Sequence, residues 1–182
     1  MDLTNLPEAA QAAGFTHAAP LSVDTLRALP AVRDACAVNK CGKFGACWTC
    51  PPAAGTLAEC EARMRAYRRG LLVQTVGALE DCFDYESIKR TEALHQRTFA
   101  AFAEPLRESF PDLLALSSGG CTICARCSYP DAPCRFPGKA FSSMEAYGLL
   151  VSDVCRDNGL AYYYGKDTVA FTGCYLWDRV TA

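Results

Sequence analysis

The sequence predicts an α/β (α+β) fold, a single domain over residues 1–182 with a mixed β-sheet flanked by helices and two cysteine-rich cofactor loops. Three observations predict it. Apolar residues fall at helical spacing in some stretches and in short strand-like runs between them. Two capping-box patterns open candidate helices. The cysteines, 12 of 182 residues, are concentrated in two segments that read as loops.

Residues 6–13 read as a short helix, and Phe15 to Val23 as an extended piece. Asp24 to Ala37 has helical character, with Pro30 either breaking it or opening a second turn. Thr56-Leu-Ala-Glu59 matches a capping box, in which threonine accepts a backbone N–H and glutamate returns the bond. Its helix is expected to run to about Arg69, with Gly70 as a left-handed stop and Leu57, Cys60, Met64 and Tyr67 on the apolar face.

Leu71 to Val76 is a strand candidate. A polar helix from about Glu86 to Ala103 places Ile88, His95, Phe99 and Phe102 together, and Pro105 is expected to weaken its end. Leu113 to Leu116 is a second buried strand, so this unit predicts parallel neighbours joined by a crossover. Ser142-Ser-Met-Glu145 reads as another capping box, with Met144, Tyr147, Val151 and Cys155 on one helix face and Asn158-Gly159 as its end. Leu160 to Tyr164 and Thr168 to Trp177, flanking Gly165-Lys-Asp, look like a hairpin.

Composition narrows the function. Apolar residues make up 51% and charged residues 21%, enough for a hydrophobic core. The net charge is -2, and the densest basic patch, Arg63, Arg65, Arg68 and Arg69, reads as a solvated helix surface. No nucleic-acid partner is expected. No apolar run has the length of a membrane span, and the N-terminal MDLTNLPEAAQAAGF lacks a signal-peptide pattern. A cytoplasmic location follows as the expectation, and there thiols stay reduced and commonly bind metal.

Cys121, Cys124 and Cys127 form C-x2-C-x2-C, followed by Cys134 after six intervening residues. Three thiolates at that interval can each reach a different iron of a cubane, as in bacterial ferredoxins, although those place the fourth cysteine closer and before a proline. The first segment, CAVNKCGKFGACWTCPP, supplies Cys36, Cys41, Cys47 and Cys50, with Gly42 and Gly45 letting the backbone fold around a ligand. Phe44 and Trp48 either shield that site or pack ordinarily. Zinc is the competing metal, because Cys47 with Cys50, set against Cys36 and Cys41, could supply a tetrahedron.

Cys60 and Cys155 on apolar helix faces, Cys174 in a strand candidate and Cys82 in a turn all read first as structural cysteines, with Cys82 the best placed of the four to act as a spare ligand. His95 reads as a core histidine, while His17 is uninformative. Arg126 and Arg135 are near enough in sequence to donate to sulfur, with surface solvation as the alternative. Tyr162 to Tyr164 could form a contact surface or a packed edge strand. No phosphate loop, nucleophile elbow or paired-carboxylate motif is present.

The segments CGKFGACWTCPP, GLLVQT and GGCTICARCSYPDAPCRFPGKAFSSMEAYG resemble a family of cysteine-rich predicted metal-binding proteins, domain of unknown function 2284. The resemblance implies metal binding, by iron–sulfur chemistry, through Cys36, Cys41, Cys47, Cys50, Cys121, Cys124, Cys127 and Cys134. It implies no reaction. The expectation is an iron–sulfur protein with two 4Fe-4S clusters that passes single electrons to a redox partner protein. The alternatives are a cluster-dependent enzyme or activator with an open iron site, and a zinc-stabilised interaction module.

Overall fold

A computed structural model describes residues 5–180; the first four residues of the N-terminal segment and the last two of the chain lie outside it. Five strands form one mixed sheet in the order β1-β2-β5-β3-β4, with β1 His17–Leu21, β2 Tyr67–Ala78, β3 Leu114–Ser117, β4 Ser142–Ser143 and β5 Thr168–Arg179. Neighbours are antiparallel except β3 and β4, which are parallel. The helices are α1 Leu6–Ala12, α2 Pro30–Ala37, α3 Leu57–Arg65, α4 Tyr85–Ser109 and α5 Val151–Asp157. The architecture is a single α+β domain, as the sequence predicts.

Alternation along β2 and β5 divides the interior between the two faces of the sheet. Leu71, Val73, Tyr175 and Trp177 join Leu6, Ala10, Phe99, Phe102 and Leu106 of α1 and α4 on one side. Leu72, Cys174 and Leu176 join Cys60, Met64, Met144, Tyr147 and Cys155 on the other. Helix α4 is set by Asp84, whose carboxylate accepts from Ser87 N at 3.0 Å. Its buried residues Thr91, His95, Phe99, Phe102 and Leu106 recur at helical spacing.

Several expectations need correction. The stretch from Asp24 is not one helix: Val23–Thr25 is a 3-10 turn, Ala28 forms an isolated bridge to Leu149, and Pro30 opens α2 at its first turn. The Thr56 capping box is present, but α3 ends at Arg65 and Gly70 lies inside β2. Glycine is required there by close approach, since a Cβ would meet Leu21 Cδ2 at 2.7 Å and Leu176 Cδ2 at 2.9 Å. The four arginines therefore divide between α3 and β2 instead of sharing a helix.

Pro105 does not end α4, which continues to Ser109 because Leu106 and Ala103 remain packed on the sheet. Strands β2 and β3 are not neighbours; β5 lies between them and pairs with both. Ser142 caps no helix. It lies in β4, while Ser143 Oγ accepts from Ala146 N at 3.1 Å and starts a 3-10 turn, Glu145–Tyr147, that stops at Gly148 with φ 81°. The four residues expected on one helix face are all buried in one core even so, and Asn158 and Gly159 close α5 as expected.

No hairpin forms from Leu160 to Tyr164. That segment is held from the side by Gln74, whose amide donates to Ala161 O at 3.0 Å and accepts from Tyr164 Oη at 2.7 Å. No described helix is long and apolar enough to cross a membrane.

Candidate metal centre

Seven of the eight candidate cysteines lie in two loops, the first between α2 and α3 and the second between β3 and β4, whereas Cys36, expected in the first loop, lies in the last turn of α2. Helix α2 buries no residue of its own, so a side chain anchors it. Arg33 donates to Gly55 O and Ala146 O, each at 2.8 Å, and approaches Cys60 Sγ at 3.4 Å. This fixes the end of α2, where the Cys36 thiol points to Glu145 O at 3.8 Å.

Beyond α2 the chain turns repeatedly. Asn39, Gly42 and Gly45 have φ of 58°, 67° and 66°, and Asn39 Oδ1 accepts from Phe44 N at 3.0 Å. Gly45 N donates to Pro51 O at 2.8 Å, closing a compact loop around Cys47 and Cys50. Both of these thiols are buried, whereas Cys41 is exposed and Cys36 half-buried. The Thr49 hydroxyl lies 3.4 Å from Cys47 Sγ and 4.0 Å from Cys50 Sγ, a bridging role the sequence reading missed. Its position inside the Cys-x2-Cys step was the available signal.

The second loop docks on the first through Trp48. Its indole N–H donates to Ala132 O at 3.0 Å, and its ring meets Tyr129 edge-on at 4.9 Å. Lys43 also packs on the second loop, where a Cβ on Gly120 would come within 2.9 Å of Lys43 Cγ. The result is a small cavity lined by Cys47 of the first loop and by Cys121, Cys124, Cys127 and Cys134 of the second. Phe136 and Ile123 add apolar wall to it. Cys36, Cys41 and Cys50 do not line this cavity.

The thiols report their surroundings. Burial pushes the Cys50 thiol up to about 12, with Cys47 and Cys41 nearby adding to the rise. Burial likewise raises Cys121, beside Cys47, Cys134 and Cys124, while the Ile123 N–H favours its thiolate. Cys127 goes the other way. Desolvation raises it, but N–H groups of Tyr129, Trp48 and Ser128, together with the Cys47 side chain, bring it below its ordinary value. Backbone N–H groups aimed at sulfur are the donors that stabilise a metal-bound thiolate.

Arg135 serves the loop itself, donating to Arg126 O at 3.0 Å. Cys60, Cys155 and Cys174 are buried in the apolar core, as expected. Cys82 is exposed in the turn before α4 and does not line the thiol cavity. His95 is fully buried, with Nδ1 3.0 Å from Thr75 Oγ1 and Nε2 without a hydrogen-bond partner. His17 stacks on Tyr164 at 4.8 Å. Tyr162 and Tyr163 are exposed and belong to no strand.

Among the described residues, no three His, Cys, Asp or Glu side chains form a ready-made site for a metal ion. The donor set is nevertheless that of a soft-metal centre, with five thiols around one cavity. Comparison with curated proteins and with solved structures gave no match. Residues 19–177, which include every candidate ligand, match the family described as predicted metal-binding protein, domain of unknown function 2284. With most of its length covered by that match, the chain belongs to this family of predicted metal-binding proteins.

Proposed function

We propose that this protein binds two 4Fe-4S clusters through the eight cysteines of its two cysteine-rich segments and passes single electrons to a redox partner protein. The observation that carries the reading is the thiol-lined cavity, in which C-x2-C-x2-C wraps one wall and Cys134 and Cys47 complete the lining. Cys127 supports it further, because neighbouring backbone N–H groups hold its thiol below its ordinary value. When bound, a 4Fe-4S cluster supplies one-electron chemistry at a potential set by burial and N–H···S bonds.

Cys121, Cys124, Cys127 and Cys134 would hold one cluster, and Cys36, Cys41, Cys47 and Cys50 the other. Cys47 stands at the boundary, since it lines the second loop's cavity and is close to Cys50 through Thr49. Two clusters meeting at one residue would be magnetically coupled. EPR of the anaerobically purified, dithionite-reduced chain tests this. The expected spectrum shows two interacting clusters that a Cys47→Ala variant reduces to one. A spectrum without any cluster signal at successively lower potentials contradicts the reading.

A further inference from the structure

A second cavity, about 610 Å³ in volume, opens between α4 and the two arms of the second cysteine loop. That volume is in the range of small-molecule sites. Cys121 and Ile123 line both this cavity and the thiol-lined one, so the two share a wall. On α4, Ala93 and Ala100 lie on the lining face and leave room that larger side chains would fill. Phe141 adds an aromatic ring to the lining. Gly119 and Gly120 bring bare backbone to the wall, and a Cβ on Gly119 would meet Glu92 Oε1 at 2.9 Å.

The charges are unequal. Arg97, Arg107 and Lys139 line the cavity, against Glu104 as the carboxylate. Arg107 is committed to Gly138 O and to the Phe141 ring, which its guanidinium covers at 5.0 Å. Among the described residues, Arg97 and Lys139 have no ion-pair partner. Two uncommitted cations over an apolar floor match a ligand with an oxyanion head and an apolar body.

From this we infer that the protein has a binding site for a small organic anion, a carboxylate or a phosphate ester, beside the Cys121 wall of the thiol cavity. The ligand class rests on the lining residues; only its nearness to a cluster rests on the function proposed above. Such a ligand would be held where a cluster held by Cys121 could sense it.

Calorimetric titration of the anaerobically purified full chain with benzoate, phenyl phosphate and benzyl alcohol tests the site. Saturable one-to-one binding is expected for at least one anion, about tenfold tighter than for the neutral alcohol. The anion that binds identifies the head group. An R97A/K139A double variant, altered only at exposed side chains, should weaken that binding by roughly tenfold, and Ala100→Trp should abolish it by filling the cavity. Absence of saturation with both anions, equal binding of benzyl alcohol, or unchanged affinity in R97A/K139A would overturn the inference. Iron and sulfide measured on the same sample separate the two readings. Anion binding by iron-free protein leaves this site standing and removes the cluster, while iron-replete protein that binds neither anion does the reverse.

Discussion

Cys47 is the residue at which the two groups of thiols meet. Spacing alone groups it with Cys50, yet it lines the cavity of the other loop. Which sulfur faces which loop depends on the docking of Trp48 on Ala132, a contact between positions far apart in sequence. Cys60, Cys155 and Cys174 were legible because burial of a lone thiol follows from apolar periodicity, and all three have no exposed surface. His95 was legible as a core residue for the same reason. Its burial lowers its pKa from 6.5 to about 4. The unfolded chain then binds the proton more readily than the folded one between those values, so stability is complete above pH 6.5 and falls as pH drops toward 4. At about 1.4 kcal/mol per pH unit, the loss is on the order of 3 kcal/mol. Denaturant unfolding across that range should show this slope in the wild type and a flatter one in His95→Gln. Equal slopes would show that His95 does not titrate there.

At the scale of elements, local signals served where the determinant was local. The Thr56 capping box forms with both of its bonds, Thr56 N to Glu59 Oε2 at 2.7 Å and Glu59 N to Thr56 Oγ1 at 3.2 Å. The same pattern at Ser142 does not start a helix, because Ser142 and Ser143 themselves pair with β3 and Gly148 breaks the run in a left-handed conformation. Likewise Gly70 has the residue type of a helix stop but answers the packing of Leu21 and Leu176 on β2. The cysteine loops follow a third rule, being held by each other. Trp48→Ala removes the bond to Ala132 and the edge contact with Tyr129. A destabilisation of about 1–2 kcal/mol is expected, with roughly tenfold faster stripping of metal by a chelator. Trp48→Phe, which can keep an aromatic contact, should fall between. Stripping at the wild-type rate in Trp48→Ala would show that the loops are positioned by other contacts.

For the whole molecule, the α+β class and most elements could be read from sequence, but the strand order could not. The β2–α4–β3 passage predicts adjacent parallel strands, and β2 and β3 do run the same way, but β5 returns from the far end of the chain to separate them. That pairing buries Tyr175 and Trp177 on one face and Cys174 and Leu176 on the other, a long-range gain with no local signature. The insertion places β3 beside β4, and the connection between them is the second cysteine loop. The first loop reaches the same place from α2 and α3, so the sheet topology brings the thiols together. Two clusters on eight cysteines require about eight iron and eight acid-labile sulfide per chain. Metal and sulfide analysis of the anaerobically purified protein is therefore the most direct test. Those values with little zinc are the expected result, and stoichiometric zinc without sulfide would contradict the binding of two clusters.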